Sequence, residues 1–260
     1  MTAAGVWARG QGFFRRTLAR RLCRRPVRMR NTIPLISFTF DDFPVSALTT
    51  GGEILARHGI RATYYAAFSL MGQESPSGRV FAPEDLPLLV QQGHELGCHT
   101  FAHSHAWTTS PSDFEDSINA NTASLERLIH GAAFKTFAYP LHCPHPRTKR
   151  VASTHFSCCR CGGQTFNSGV ADLNHLDGYF LEQSGRDLAT LRDVIDRNAT
   201  ANGWLIFATH DVTEHHTRYG CTPEFFSQVV RCSIDSGARI LPVADACQMI
   251  LKGGSAAAQR

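Results

Sequence analysis

The first 30 residues contain no aspartate or glutamate, although they contain nine arginines. Residues 31–260 carry 17 basic and 22 acidic side chains. This larger part therefore has a formal charge of −5, although the formal charge of the whole chain is +4. An acidic surface does not attract the phosphates of nucleic acids. We therefore expect no nucleic-acid partner, and the acidic larger part argues against an anionic polymer as the substrate.

Long hydrophobic runs are also absent. No apolar run approaches the roughly 20 residues that a membrane-spanning helix needs. The N-terminal segment lacks the continuous apolar stretch of roughly 7–15 residues found in secretory signals, because Phe13 and Phe14 are followed at once by Arg15 and Arg16. We therefore expect neither a signal peptide nor a transmembrane helix. The simplest expectation is a cytoplasmic protein.

The arginines of residues 1–30 are interleaved with apolar residues at a helical spacing, namely Phe14, Leu18 and Leu22. A helix of this kind could lie on an anionic membrane surface, where each basic residue adds about 1 kcal/mol. The protein would then be peripheral to the inner face of the membrane through this segment. The alternatives are a disordered, solvated extension and a segment encoded upstream of the true start.

The chain has nine cysteines, which is an odd number. Cys158 and Cys161 form a C-x-x-C pair, but no second pair follows at the spacing of a zinc ribbon. In the absence of a secretion signal, the cysteines indicate free thiols in a reducing compartment. The C-x-x-C segment is better explained as part of a strand than as a metal-binding loop.

The chain of 260 residues, 43% of them hydrophobic, can bury a core as one domain or at most two. Strand-like and helix-like segments alternate, which predicts an α/β fold with largely parallel strands. The seven or eight units in about 220 residues favour a barrel with its active site at the C-terminal strand ends. The predicted strands are residues 33–40, 62–67, 95–99, 136–139, 156–161, 204–209 and 239–243, and the predicted helices are residues 47–58, 83–93, 111–130, 187–202 and 223–236.

Two adjacent aspartates, Asp41 and Asp42, end the first apolar strand. Neighbouring residues on a strand point to opposite sides, so at least one carboxylate is buried and needs a strong partner. A divalent metal is such a partner, and His99 and His103 supply the imidazoles that a zinc-type site prefers. One carboxylate and two histidines leave coordination positions open, which is typical of a catalytic site. Separately, each pair is more often an ordinary loop or helix feature.

A third feature joins these two, because the apolar strand at residues 204–209 ends in His210. The order Thr39-Phe40-Asp41-Asp42, then His99-Thr100-x-x-His103, then a strand ending in His210 resembles the polysaccharide deacetylases, that is, the NodB-homology domain of carbohydrate esterase family 4. The resemblance spans residues 33–250 and is of the chitooligosaccharide deacetylase type. It implies a distorted, incomplete (β/α) barrel.

The resemblance also implies a division of the chain and of the roles. Residues 1–30 would be a basic tail, residues 31–252 the catalytic domain and residues 253–260 a C-terminal tail. One divalent ion, zinc by preference, would be bound by Asp42, His99 and His103. Asp41 would act as general base, and His210 would protonate the departing amine. Asp211 would either orient His210 or be a solvated loop residue.

In this chain the third motif of the family departs from the usual Arg-x-Pro-Tyr-Gly. It contains Tyr139, Pro140 and Leu141, with Ala138 in place of the arginine and His142 in place of the glycine. The backbone N–H of Leu141 could donate to an oxyanion, whereas Pro140 has no N–H. The sequence leaves open how Asp41 is held. Asp172 and Asp177 are either the fourth-motif acid or ordinary turn residues.

Three aromatic residues lie nearest the predicted mouth: Trp107, Tyr139 and Trp204. Sugar rings stack on such faces, but the position of Trp204 at the start of a strand favours a core residue.

Four functions follow as hypotheses. The first is a metal-dependent N-deacetylase acting on oligo- or polysaccharides that contain N-acetylglucosamine. The second is an O-acetyl carbohydrate esterase with the same site, and the third is a catalytically idle glycan-binding protein. Asp41 and His210 argue against the third, because a binding module needs neither a base nor an acid. The fourth is a peripheral membrane protein whose substrate is a lipid-linked glycan.

Overall fold

The computed structural model describes residues 3–141 and 143–255, with side chains from residue 12 to residue 253. His142, which was predicted to replace the glycine of the third motif, lies outside the described residues, as do residues 256–260 of the predicted C-terminal tail.

Seven parallel strands close into a barrel in the order β2-β3-β6-β7-β8-β10-β11, and β11 returns to β2. The strands in chain order are β1 (Pro26–Arg28), β2 (Leu35–Phe40), β3 (Thr63–Ala66), β4 (Glu74–Ser75), β5 (Gly78–Arg79), β6 (Glu95–Cys98), β7 (Thr136–Ala138), β8 (Cys158–Gly162), β9 (Val170–Asp172), β10 (Leu176–Phe180), β11 (Trp204–Thr209) and β12 (Arg239–Ile240).

The barrel is distorted at β2. One edge of β2 pairs along its whole length with β11. On the other edge β3 pairs only with Thr39 and Phe40, and β12 pairs with Leu35 and Ile36. The N-terminal part of β2 therefore has no partner in β3, and β12 pairs with it instead. The predicted distorted, incomplete (β/α) barrel is confirmed.

Eight α-helices lie within the described part of the chain. Three of the predicted helix starts are confirmed by their caps, since Ser110, Asp187 and Thr222 each accept a hydrogen bond from a backbone N–H of the first turn. The helices are α1 (Ala3–Arg21), α2 (Glu53–Ala56), α3 (Leu86–Gln91), α4 (Pro111–Leu128), α5 (Pro146–His155), α6 (Leu188–Thr200), α7 (Pro223–Asp235) and α8 (Val243–Ser255).

The segment predicted as one helix over residues 47–58 is a π-helical turn, Ala47–Gly52, followed by the short α2. Its two glycines allow close packing on the barrel. A Cβ at Gly51 would lie 3.1 Å from the Phe40 ring, and one at Gly52 would lie 3.2 Å from the Tyr64 hydroxyl. The wider turn and the missing side chains let this segment approach β2 and β3.

A second cluster of buried side chains fills the N-terminal end of the barrel and packs against α8. Trp204 is fully buried there, and its indole N–H donates to the Ser37 hydroxyl at 3.0 Å. The prediction that Trp204 is a core residue is confirmed. With this end closed by α8, the opposite end is left for the site.

The N-terminal arginine segment is packed onto the body. The side chain of Lys149 on α5 is fully buried, and its ammonium group donates to the carbonyls of Ala19 and Leu22 at 2.8 and 3.0 Å. The same group forms an ion pair with Asp172 at 2.7 Å. The ammonium thus satisfies free carbonyls at the C-terminal end of α1, where a positive charge is favourable.

The segment after α1 continues these contacts, because β1 pairs antiparallel with β9. The guanidinium of Arg25 donates to the carbonyls of Phe156 and Ser157 at 3.0 and 2.7 Å. For residues 12–30 the expectation of a disordered extension is therefore wrong. The division of the chain at residue 31 stays a prediction, and these contacts cross it.

The predicted membrane contact gains no support. Leu18 is partly buried, although Phe14 and Leu22 are exposed, so the apolar stripe does not form one free face. None of the described helices combines the length and the apolar character needed to cross a membrane.

Candidate metal and catalytic site

The predicted site residues meet at the C-terminal end of the barrel. Asp41 and Asp42 follow β2, His99 follows β6, and His210 follows β11, while His103 lies in the loop after β6. Parallel strands bring their C-terminal ends to the same end of a barrel, so these side chains converge although they are far apart in the sequence.

Asp42, His99 and His103 form a cluster whose ligand atoms lie within 4.8 Å of one another. The Nε2 atoms of His99 and His103 lie 3.7 and 3.4 Å from Asp42 Oδ1. This buried oxygen has no hydrogen-bond partner among the described residues. Ligand atoms about 2.0–2.2 Å from one tetrahedral ion are about 3.4 Å apart. The three residues therefore fit a divalent metal ion between them.

The ring of His99 is fixed in the orientation that a ligand needs. Its Nδ1 lies 2.7 Å from the carbonyl oxygen of Ala138, so this nitrogen carries the proton and donates. Nε2 is then left unprotonated and faces Asp42. Burial lowers the pKa of His99 to about 4, so the ring is neutral near pH 7, as metal binding requires.

Two serines that the sequence did not single out support the metal-binding residues. Ser77, which is buried, donates from its hydroxyl to Asp42 Oδ2 at 2.8 Å and so fixes the carboxylate. Ser117 on α4 accepts from the backbone N–H groups of Phe101 and Ala102, both at 3.1 Å, in the loop between the two histidines. A serine is too common in loops and helices for its sequence position to predict either role.

The backbone is unusual at this site. Asp42, Thr100 and His103 all have positive φ angles of 60°, 58° and 49°. Residues other than glycine rarely adopt this conformation, which costs of order 1–3 kcal/mol at each position. The surrounding contacts hold the three residues in place, and two of them are candidate ligands.

Asp41 is held by an arginine from a neighbouring part of the barrel. The guanidinium of Arg160 on β8 donates to Asp41 Oδ1, and both side chains are almost fully buried. The guanidinium also lies 5.3 and 5.1 Å from the ring centres of Tyr65 and Phe180. A planar cation between two rings and a carboxylate has little freedom to move.

The position of Arg160 explains how the chain manages without the family arginine at position 138. Ala138 and Arg160 are direct partners in the ladder between β7 and β8. Partners in a parallel ladder point to the same side of the sheet, so the small side chain of Ala138 stands beside the large one of Arg160. The arginine is therefore present, displaced to the adjacent strand.

His210 is buried, with 8% of its surface exposed, and its Nδ1 has no hydrogen-bond partner among the described residues. Asp211 does not orient it. The Asp211 carboxylate accepts from the N–H and the hydroxyl of Thr217, both at 2.6 Å, and holds the following loop.

Glu182 is a site residue that sequence reasoning missed. It lies in the 3-10 turn Leu181–Ser184 after β10. Burial raises the pKa of Glu182 to about 7, while His210 lowers it and Asp41 raises it. The carboxyl group is therefore close enough to both site residues to interact electrostatically with them. Its sequence context, a polar turn, carried no signal of this.

The third and fourth motifs fall in different places. Tyr139 is fully buried and its hydroxyl donates to the Asn174 carbonyl at 3.3 Å, so its side chain does not face a substrate. Leu141, which follows Pro140, is 52% exposed with φ of 57°, beside the site. Asp172 and Asp177 pair with Lys149 and Arg20, so both belong to the docking of α1.

Comparison with known proteins agrees with this geometry. Residues 29–155 match the family described as polysaccharide deacetylase. Among curated protein sequences, none is significantly similar to the chain.

Solved structures with the same fold include the chitin deacetylase of the fungal pathogen Colletotrichum lindemuthianum, with 17% identity, a TM-score of 0.58, and coverage of 85% of this chain and 89% of that one. A family 4 acetyl xylan esterase from Clostridium thermocellum, in complex with a cobalt ion, gives 21% identity, a TM-score of 0.57, and coverage of 83% and 91%. A CE4-family pseudoenzyme from Bacillus anthracis gives 13% identity, a TM-score of 0.57, and coverage of 85% and 68%.

At these identities the solved structures establish the fold, and the family match covers residues 29–155, a little under half of the chain. Together with the cluster of Asp42, His99 and His103, they lead to one conclusion. Residues 29–155 match the polysaccharide deacetylase family, and the barrel has the fold of solved structures from that family.

Proposed function

We propose that the protein is a metal-dependent hydrolase that removes acetyl groups from oligo- or polysaccharides containing N-acetylglucosamine. One observation carries the proposal. The three-residue metal cluster lies at the same barrel end as Asp41, which Arg160 holds, and His210. A protein that only binds glycans would need neither a fixed carboxylate nor a histidine beside the metal cluster.

The residues divide the chemistry among them. A divalent ion bound by Asp42, His99 and His103 would polarise the acetyl carbonyl and acidify a water molecule. Asp41 would take the proton from the attacking water, and the ion pair with Arg160 holds its carboxylate in place. The backbone N–H of Leu141 would donate to the developing oxyanion.

His210 would protonate the departing amine, which leaves poorly without a proton. Histidine is the side chain most often used as a general acid near neutral pH. Glu182 would assist as a positioning residue, since its carboxyl group interacts electrostatically with His210.

The rival reaction is hydrolysis of an O-acetyl ester by the same residues. An alkoxide leaving group depends less on protonation than an amine does, so His210 distinguishes the two reactions. The idle alternative is disfavoured because the metal cluster and the pair of Asp41 and Arg160 are both complete.

The test is release of acetate from chitooligosaccharides and from acetylated xylan, with the metal removed by a chelator and then restored as zinc. We expect faster release from the chitooligosaccharides, loss on chelation and recovery with zinc. Asp42→Asn should lose the metal, whereas Asp41→Asn should keep the metal and lose turnover by roughly 10²–10⁴-fold. Acetate release that resists chelation, or equal metal loss in the two variants, would contradict the proposal.

A further inference from the structure

A cavity of about 610 Å³ opens beside the site, between α1 and the barrel. Most of the barrel residues that line it lie at or after the C-terminal ends of β7, β8 and β10, like those that carry the metal cluster, whereas His175 precedes β10. The barrel residues that line it are Leu141, Cys143, Gly162, Gly163, Gln164, His175 and Gln183. Because Leu141 belongs both to this wall and to the proposed oxyanion loop, a glycan in the site can extend into the cavity.

The opposite wall is the N-terminal helix, through Phe13, Arg16, Thr17 and Arg20. The helix is fixed at its C-terminal end by the buried Lys149 and along its length by Arg15, whose guanidinium lies 5.2 Å from the ring centre of Trp107. The arginines therefore reach the cavity from a docked element.

The described lining of the cavity contains two arginines and no carboxylate. Arg20 is paired with Asp177 at 2.8 Å, whereas no carboxylate of the described residues lies within 4 Å of the Arg16 guanidinium. Arg16 is exposed, so its charge is available to a ligand.

A buried polar group faces the same space. His175 is 8% exposed, and its Nδ1 has no hydrogen-bond partner among the described residues. A buried polar atom without a partner is costly, and a ligand in the cavity would supply one. Burial, with help from Lys149 and Arg20, lowers the pKa of His175 to about 3, so the ring is neutral and can still hydrogen-bond.

We propose that this cavity is a subsite for an acidic sugar, and that Arg16 binds its carboxylate. The inference rests on the proposed deacetylation and specifies its substrate class as an N-acetylated glycan that also carries carboxylate groups. It reverses the expectation drawn from the acidic larger part of the chain, because the docked helix brings positive charge to the mouth of the site. A guanidinium and a carboxylate form a strong, directional pair.

The test uses the full chain and two tetrasaccharide probes. One is a hyaluronan tetrasaccharide, in which N-acetylglucosamine alternates with glucuronate, and the other is neutral chitotetraose. Binding is measured by calorimetry for the wild type, for Arg16→Gln, and for Arg21→Gln. Arg21 is the matched control, because it is an exposed arginine on the same helix that does not line the cavity.

We expect the wild type to bind the acidic probe about tenfold more tightly than the neutral one, since a charge-assisted hydrogen bond contributes about that much. Arg16→Gln should lose this preference, and Arg21→Gln should keep it. Equal binding of both probes by the wild type would overturn the subsite. Equal losses in the two variants would also overturn it, because they would indicate unspecific attraction.

A membrane role for the arginines is a further outcome. If anionic vesicles bind the full chain and compete with the acidic probe, and both variants weaken vesicle binding equally, the subsite is wrong. Failure of the proposed function looks different. A protein that releases no acetate from any substrate but prefers the acidic probe through Arg16 would retain the subsite and refute the deacetylase.

Discussion

Arg160 shows how one function can move to a neighbouring residue in a sheet. The guanidinium reaches Asp41 from β8 because its ladder partner, Ala138, leaves the space free. Motif comparison along the chain reports only the missing arginine at position 138. The pairing of β7 with β8 is a property of the fold, so the replacement was not visible in the sequence.

The pair of Arg160 and Asp41 should behave as a coupled unit. Arg160→Met removes the guanidinium that pairs with a buried carboxylate, and breaking such a pair costs about 3–5 kcal/mol. We expect most of this loss in the free energy of unfolding to be recovered in the double variant with Asp41→Asn, where no charge remains. Denaturant unfolding of the wild type, the two single variants and the double variant measures the coupling.

Activity provides the control for this cycle. Ala138→Arg combined with Arg160→Met returns an arginine to the same side of the sheet, one strand away. We expect partial recovery of turnover relative to Arg160→Met alone, with metal content unchanged in both. If the effects of Arg160→Met and Asp41→Asn on the free energy of unfolding simply add in their double variant, the ion pair does not hold Asp41.

Glu182 should make stability depend on pH. Its pKa rises from 4.5 to about 7 on folding, chiefly through burial, with His210, Asp41 and Arg160 as the charged neighbours. Between these values the folded state binds more protons than the unfolded state, so stability falls as the pH rises from about 4.5 to 7. The Gln variant lacks this loss.

We therefore expect Glu182→Gln and the wild type to have the same free energy of unfolding near pH 4. Above pH 7 the free energy of unfolding of the variant should exceed that of the wild type by about 1–2 kcal/mol, after allowance for partial exposure. Denaturant titrations at pH 4, 6 and 8 measure the difference. A difference that stays constant across this range would show that the carboxyl group titrates normally.

At the scale of elements, the strands with continuous apolar sequence were predictable. The strand predicted at residues 204–209 is β11, and the one predicted at 33–40 contains β2, because both are buried on two sides in a parallel barrel. The helix α5 was missed because its sequence is largely polar and basic. The strands β9 and β10 were missed because their identity depends on pairing with β1 and β8.

The docking of α1 was also outside the reach of sequence patterns, since it depends on a lysine buried far along the chain. We expect Lys149→Met to loosen α1, because the carbonyls at its C-terminal end lose their donor and Asp172 loses its ion pair with Lys149. Limited trypsin digestion should then cut within the arginine segment faster than in the wild type.

Lys135→Met is the control for this prediction, because Lys135 is exposed and its substitution removes the same charge. Its digestion should match that of the wild type. Equal resistance of the Lys149 variant and the wild type would show that other contacts, such as those of Arg25, are sufficient to hold the segment.

At the scale of the whole molecule, net charge did not show where the positive charge lies. The sequence separates into an arginine-rich segment and an acidic remainder, and the fold brings part of the segment to the mouth of the site. The metal cluster was predictable because its residues follow strands whose ends must meet. The charge beside it was not, because it depends on where one helix docks.

Removal of residues 1–30 tests this combination of parts. Every candidate metal ligand lies beyond residue 31, so the shortened chain should still bind one divalent ion per molecule. It loses the β1 strand, the carbonyl partners of Lys149 and the arginine wall of the cavity. We expect a lower melting temperature, and a higher KM for an acidic N-acetylated oligosaccharide with little change for a neutral one. Metal analysis, thermal unfolding and acetate release from the two substrates provide the three measurements. An unchanged melting temperature and unchanged KM values would mean that the segment is a tail after all, as the sequence alone suggested.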